Sequence, residues 1–480
     1  MLLSPPSTPW SDYEAVLFRY DAFVKGAMSF WDFIFIKHGG HNHAFIFFLG
    51  LLDIWIDHGK LWLFSWAVVF SNLAVFGIYV YLIRTVITDK LLRFVATAFI
   101  ASQIFSMQGG EIWAVSFQAV VTCFRLFLVA GLWMFCRALL KLEQKKGARL
   151  SLIISLFILF VASVSHGSGI LVPPLLLALY AFVYIKGDYP VFQKKAIFPI
   201  LLLSLVFLIH ETLYPSHDLG FAAVLKNVPF AAWDQLPRYL AFMLGHFFVW
   251  NLGESITLFM NKAGLGNFSN WDLVAFIQKV IGAVGMLIFL GVGCKVLIKR
   301  PTTATSLLFL SLGFFSLGAA LMGIVFNLGQ IDARGISLDS LDFLKESRYI
   351  FMPTGFWIAT IVLLFSELEY FSRQRGYQKI ISKVIATVTM LIVLFSAGCS
   401  VGYSFREVDF WSQYLHSLFK SEKIIATDAW QSIPVATLND AIIGLAGHAT
   451  YAKDRIEVLR KYSLGPYAKS KAYYEKHDFS

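Results

Sequence analysis

The sequence predicts an all-α polytopic membrane protein with about 10–11 transmembrane helices, outer juxtamembrane helices and a small helical periplasmic C-terminal region. Three observations carry this. Hydrophobic residues make up 58% of the 480 positions against 15% charged, and mean hydropathy is +0.67, far from the balance of a water-soluble chain. The apolar residues come in runs close to the roughly 20 that a spanning helix needs. The Lys and Arg fall in short clusters between alternate runs, as membrane topology requires.

Ten runs read as spans: residues 61–83, 91–107, 114–140, 150–164, 169–185, 196–213, 273–298, 306–328, 349–365 and 384–402. An eleventh, 239–252, is short and carries His246 in its middle. The loops 84–93, 137–149, 186–195, 295–300 and 373–383 are basic, whereas 108–113 and 165–168 contain no Lys or Arg. The first set is therefore expected in the cytoplasm, and the opposite loops outside. Counting 239–252 as a crossing would move 295–300 to the outside, so this run is expected to be re-entrant or interfacial. The same parity puts 1–59 outside, which anticipates a translocated N-terminus or a further transmembrane helix upstream of Met1. Residues 1–10 lack the charged start and apolar core of a secretory signal.

The chain divides into three regions. Residues 1–59 are an outer-face loop with two amphipathic helices, about 12–36 and 43–56, since Asp12, Glu14, Arg19, Asp21, Lys25 and Asp32 suit no lipid-facing span. Residues 60–403 form the transmembrane domain. Residues 404–480 turn polar, with start or turn signals at Asp428, Asn439 and Asp440 and a charged helix near 453–462.

Several function classes are excluded by composition. The net charge of +10 is spread through loops with no basic stripe, so nucleic acid is not a partner. The four cysteines sit in apolar runs without ligand spacing, giving neither a disulfide framework nor a zinc site. No internal repeat is evident, which argues against transporters built from related halves.

The candidate chemistry collects on the outer side. Asp12 and Glu14 stand where the connector Ser4–Pro9 meets the first surface helix; a partly desolvated carboxylate there has the character of a general base, and a helix cap reads equally well. His38-Gly39-Gly40-His41-Asn42-His43 lacks the i, i+4 metal spacing. The glycines nevertheless permit a turn in which His38, His41 and His43 converge to carry a proton, bind a phosphate or hold a divalent cation; Asn42 as a helix cap is the alternative. Glu111, Trp113 and Gln118 suit sugar recognition, or an interfacial belt. His166 and His210-Glu211 lie level with the histidine stretch, and Arg125 lies two turns below Gln118, expected to face the bundle interior. Arg348 and Tyr349 match a lipid phosphate, or an interfacial anchor.

As a set, Asp12, His43 leading to Asp53, Trp113 with Phe117-Gln118, the steps Ser165–Gly169, and Ser347-Arg348-Tyr349 resemble the GT-C-type polytopic glycosyltransferase-like proteins of bacterial surface-polysaccharide pathways. Each motif is short, and Asn42 and Ala44 depart from the Glu and Arg of that pattern. The resemblance implies transfer of a sugar from a polyprenyl-phosphate donor to a glycan or lipid-linked acceptor on the periplasmic face of a bacterial inner membrane. By it, Asp12 would be the base, and Arg348 with His43 would hold the donor phosphate. An O-antigen-type polymerase or ligase, and a non-enzymatic flippase or transporter of lipid-linked sugar, are the alternative readings. The sequence assigns no cofactor, and a divalent cation at the histidines is the candidate it leaves open.

Overall fold

The computed structural model describes residues 13–106, 118–141, 147–186, 193–215, 226–249, 252, 271–298, 303–329, 351–373, 377–434, 438 and 449–469. Everything described is helix, turn or connection, apart from one isolated β-bridge between His38 and His41. The expected class therefore holds.

Each apolar run carries a helix: α4 (Trp62–Val86), α5 (Lys90–Ile104), α6 (Ala119–Lys141), α7 (Gly147–Ser163), α8 (Val172–Lys186), α9 (Gln193–Leu213), α10 (Leu236–Phe248), α11 (Trp271–Ile298), α12 (Ala304–Leu328), α13 (Phe351–Ser372) and α14 (Tyr377–Ala426). Three shorter helices precede them, α1 (Tyr13–Val24), α2 (Phe30–Phe35) and α3 (Ala44–Asp57), and α15 (Ala449–Lys461) comes after. Among the described residues, seven helices are long and apolar enough to cross a membrane, and 149–163 and 197–213 are shorter apolar helices. Of the ten to eleven expected spans, seven meet this standard among the described residues. Asp89 starts α5 by accepting from Leu91 N and Leu92 N, both at 2.9 Å, and α5 ends after 15 residues, a rise of only about 22 Å.

The segment α10 has 13 residues, about 20 Å, against a hydrocarbon thickness of about 30 Å. Every residue from Tyr239 to Phe248 is buried, by α11, α12 and α13. Gly245 and Gly282 let α10 and α11 approach closely: a Cβ at Gly282 would overlap the Ala241 carbonyl oxygen, and one at Gly245 the Gln278 carbonyl oxygen. Carbonyls near the end of α10 find side-chain donors, Leu244 from Trp357 Nε1 at 2.9 Å and Phe248 from Ser396. A short apolar helix enclosed by protein is the setting in which a non-spanning segment is tolerated at membrane depth.

The anticipated single helix over 12–36 is two. Gly26 sits at φ +72°, where the chain leaves α1, and Ser29 caps α2 by accepting from Asp32 N at 3.1 Å. At the other end of the chain, α14 runs unbroken for 50 residues, through the boundary expected at 403/404. Its extension carries a small second core of Ile425, Trp430, Leu438 and Ile456. This unit docks on α1: Glu14 pairs with Arg455 at 2.5 Å, Asp21 with Lys461 at 3.0 Å, and Gly465 N donates to His58 O at 2.8 Å. The two ends of the described chain thus meet at one end of the bundle.

The opposite end is tied by Glu369, which accepts from Thr88 N at 2.8 Å and pairs with Arg373 at 2.6 Å, and by Glu367 with Lys295 at 2.7 Å. A cavity of about 280 Å³ lies there, lined in part by Thr88, Ser306, Glu369 and Arg373.

Candidate functional site

The histidine stretch is a two-residue hairpin turn. His38 N donates to His41 O at 3.0 Å and His41 N to His38 O at 2.9 Å, while Gly39 and Gly40 take φ of +56° and +77°. Two consecutive positive φ values define the turn type that glycine pairs favour, since a Cβ resists both. Paired residues of such a turn present their side chains to one face. The ring of His43 then lies 6.2 Å, centroid to centroid, from those of both His38 and His41. The anticipated convergence of the three imidazoles is therefore present, and His166 joins it.

His41 packs on Phe326 at 4.9 Å and over Gly167, where a Cβ would stand 2.7 Å from Nδ1. Gly167 is thus glycine because an imidazole occupies the space a side chain would need. His166 stacks on Phe124 at 4.8 Å and meets the edge of Phe351 at 5.2 Å. Its Nδ1 accepts from Ser168 N at 3.1 Å, which leaves the proton of the neutral ring on Nε2. Ala44 N donates to Val164 O at 3.0 Å, locking the start of α3 to the end of α7.

Removal from water, then the neighbouring imidazoles, holds His43 well below the usual histidine range; burial, then His41, takes His166 down to about 3. Both rings are neutral at neutral pH. They can give or accept a hydrogen bond but bring no standing positive charge to an anion. Among the described residues no group of three His, Cys, Asp or Glu side chains is disposed to hold a metal ion.

The turn is fastened from two sides. Buried Arg19 donates to Phe33 O at 2.8 Å and Ile36 O at 2.7 Å, with its guanidinium 3.5 Å from the centroid of the Phe47 ring. On the other side Glu211, near the end of α9, pairs with Lys37 at 2.6 Å and accepts from Asn42 Nδ2 at 2.8 Å. Asn42 is therefore not the cap of α3: that position is His43, which makes no side-chain capping bond. Asn42 is buried against a carboxylate from another helix instead. Arg19 and Lys37 are not among the sequence-derived site candidates and Asn42 is there only as a helix cap; the signal for them is a charged or amide residue inside an otherwise apolar surface segment.

Of the other candidates, Glu14 is buried in its ion pair with Arg455. Gln118 stands half-buried immediately before α6. Asp12, Glu111, Trp113, Arg348 and Tyr349 lie outside the described residues. Asp53 is fully buried and takes the place of a cap for α4, accepting from Leu61 N at 3.1 Å, Leu63 N at 3.3 Å and the Tyr13 hydroxyl at 3.2 Å. Arg125, on α6, finds the side-chain oxygen of buried Asn72 on α4. A neutral amide thus takes the role a carboxylate usually plays for a membrane arginine.

No family model and no curated protein matches the chain. Among solved structures, ArnT from Cupriavidus metallidurans bound to undecaprenyl phosphate aligns over 78% of each chain, with 13% identity and a TM-score of 0.30. Its apo state aligns over the same 78% of each chain, with 14% identity and a TM-score of 0.28. So slight a superposition carries no weight for the reading of this chain.

Proposed function

We propose that the chain is a GT-C-like membrane glycosyltransferase that moves a sugar from a polyprenyl-phosphate donor to a glycan or lipid-linked acceptor at the periplasmic face of a bacterial inner membrane. The observation that supports this best is the gathering of His38, His41, His43 and His166 at the end of an apolar helical bundle where α1 and the C-terminal unit also meet. The short motifs that resemble GT-C proteins fall on the same side by loop charge.

In this reading the acceptor hydroxyl oxygen bonds to the anomeric carbon as that carbon's bond to the donor phosphate oxygen breaks. The hydroxyl proton passes to Asp12, and the lipid phosphate leaves with the bonding electron pair. A phosphate is a stable leaving anion, so charge stabilisation matters more than its protonation. Arg348 supplies the fixed positive charge. A neutral His43 adds a hydrogen bond without one, which is the form its surroundings enforce. Glu14, tied to Arg455, holds the helix that begins just after Asp12.

The test is transfer from polyprenyl-phosphate sugars in membranes carrying Asp12→Asn or Arg348→Ala. Loss of a general base lowers turnover by about 10²–10⁴, and loss of one charge-stabilising donor by about 10²–10³. Near-wild-type turnover in both variants would remove the mechanism.

A further inference from the structure

The cavity of about 280 Å³ at the end of the bundle away from the histidine turn has no part in the transfer mechanism, and it lies open among helices that end there. We propose that it holds the head group of a phospholipid carrying both a phosphate and a primary ammonium, as phosphatidylethanolamine does. The phosphate sits at Arg373 on the rim, and the ammonium reaches inward to the carboxylates and hydroxyls of the wall. The site stands whether or not the chain is a transferase.

Its depth suits a lipid phosphate. Helix α13 has 22 residues, a rise of about 33 Å against a hydrocarbon core of about 30 Å. Arg373 comes directly after the last residue of α13, and Thr303 directly before α12, so the rim stands where the head groups of one leaflet begin. By loop charge this is the end with the basic loops.

The rim has donors to spare. Arg373 gives Nη2 to Glu369, at 2.6 Å, and to Thr88 Oγ1. Its Nε and Nη1 make no hydrogen bond among the described residues, and the side chain is 63% exposed. Three N–H donors on a fixed positive charge match the oxygens of a phosphate diester.

Further in, the wall changes sign. Glu367 and Glu369, with side chains 10% and 8% exposed, line the cavity together with the hydroxyls of Ser306 and Ser366. Each carboxylate already has a cationic neighbour, Lys295 at 2.7 Å and Arg373 at 2.6 Å. A ligand that carries both signs but no net charge therefore enters without leaving a charge uncompensated. An anionic head group brings a charge that the carboxylates oppose. A choline group has the right charge but no N–H to give to carboxylate or hydroxyl oxygens, whereas a primary ammonium has three. The volume lies at the foot of the range for small-molecule pockets, about 300–1,000 Å³, which suits a head group rather than a nucleotide.

Native mass spectrometry of the full chain in detergent, titrated with phosphatidylethanolamine, phosphatidylcholine and phosphatidylglycerol of identical acyl chains, tests the assignment. Phosphatidylethanolamine should bind about tenfold or more tightly than the other two. Arg373→Gln and Ser366→Leu should each bring it down to the level of phosphatidylcholine. Ser366→Leu fills the space and leaves every charge in place, so it decides alone if loss of Arg373 unsettles the fold. Lys25→Ala, on an exposed ion pair of α1, should keep the wild-type preference. A millimolar excess of inorganic phosphate should not displace the lipid; displacement would identify free phosphate as the occupant and overturn the head-group assignment. Equal affinity for the three lipids, the result expected of an unselective lipid annulus, overturns the proposal. So does a preference that survives both variants, which would place the lipid elsewhere on the bundle.

Discussion

Arg455→Met should release α1 from the C-terminal unit. Both members of the Glu14–Arg455 pair are close to fully buried, with side chains 8% and 12% exposed and 2.5 Å apart. Removing the guanidinium leaves a carboxylate in a place built for a pair, a situation that costs about 3–5 kcal/mol. At about 1.4 kcal/mol per decade, the undocked form of α1 rises by roughly 10² to 10³·⁵. The packing of Arg455 against the Phe18 ring, 5.7 Å from its centroid, is largely kept by an unbranched methionine. Hydrogen exchange of the Tyr13–Val24 amides in detergent or nanodiscs reads the population directly. Exchange should accelerate by about two decades or more, while amides of α12, in the bundle core, keep wild-type protection. The double variant Glu14→Gln/Arg455→Met removes both charges and should recover most of the loss, because an apolar and amide replacement abolishes the unpaired charge. Unchanged exchange in Arg455→Met would show that α1 is held by its packing on α3 alone, where Val16 lies against Gly50, and would refute the clamp.

The packing sets two further outcomes. Burial raises the Asp53 carboxyl from 3.8 to about 7, outweighing the hydrogen bonds from Leu61, Leu63 and Tyr13 that pull it down. A carboxyl with a raised folded-state pKa contributes stability that is fully present below about pH 4 and is lost as pH rises through about 7. Thermal unfolding in detergent should therefore weaken across that window, by up to about 4 kcal/mol if the shift is realised in full, and Asp53→Asn should flatten the slope; a slope unchanged by the substitution counts against the assignment. Gly282→Val should separate α10 from α11, because the new Cβ overlaps a main-chain carbonyl oxygen that no rotamer change can move. A loss of about 3 kcal/mol in unfolding free energy is expected, against near neutrality for the same change at Gly291, where a Cβ meets nothing within 4 Å.

The spans were legible because a bilayer demands uninterrupted apolar helix, and hydropathy reports that demand directly. Their lengths were less so: α5 ends at Ile104 with Phe105 as its C-cap, where hydropathy carries the run on to Met107. The continuation of α14 past residue 403 was missed for a different reason. Arg406, Glu407 and Asp409 look like the close of a membrane span, yet no proline or glycine comes after Gly402 before Ala426, so nothing stops the helix in water. Gly39-Gly40 announced the turn, and the turn is there. The proximity of His166, and the diversion of Asn42 from capping to Glu211, depend on helices far apart in sequence that no local pattern encodes.

The placement of polar groups in this bundle separates two tasks. At the end away from the histidine turn, Glu367 with Lys295 joins α13 to α11, and Glu369, paired along its own helix with Arg373, takes the Thr88 amide between α4 and α5, so polar contacts there hold a scaffold together. At the histidine end the same kind of residue is used differently. Arg19 is given to backbone carbonyls, Asp53 to backbone amides, and Glu14 to a residue more than 400 positions away, so each fixes a short surface helix or turn that the bilayer itself cannot order. The His43 ring next to that turn and the His166 ring beside it are kept neutral by removal from water and by the neighbouring imidazoles. Two neutral imidazoles held in place by packing add little to the stability of an apolar bundle. They are what a site needs if the charge in it is to arrive with the substrate and be met by groups already in position.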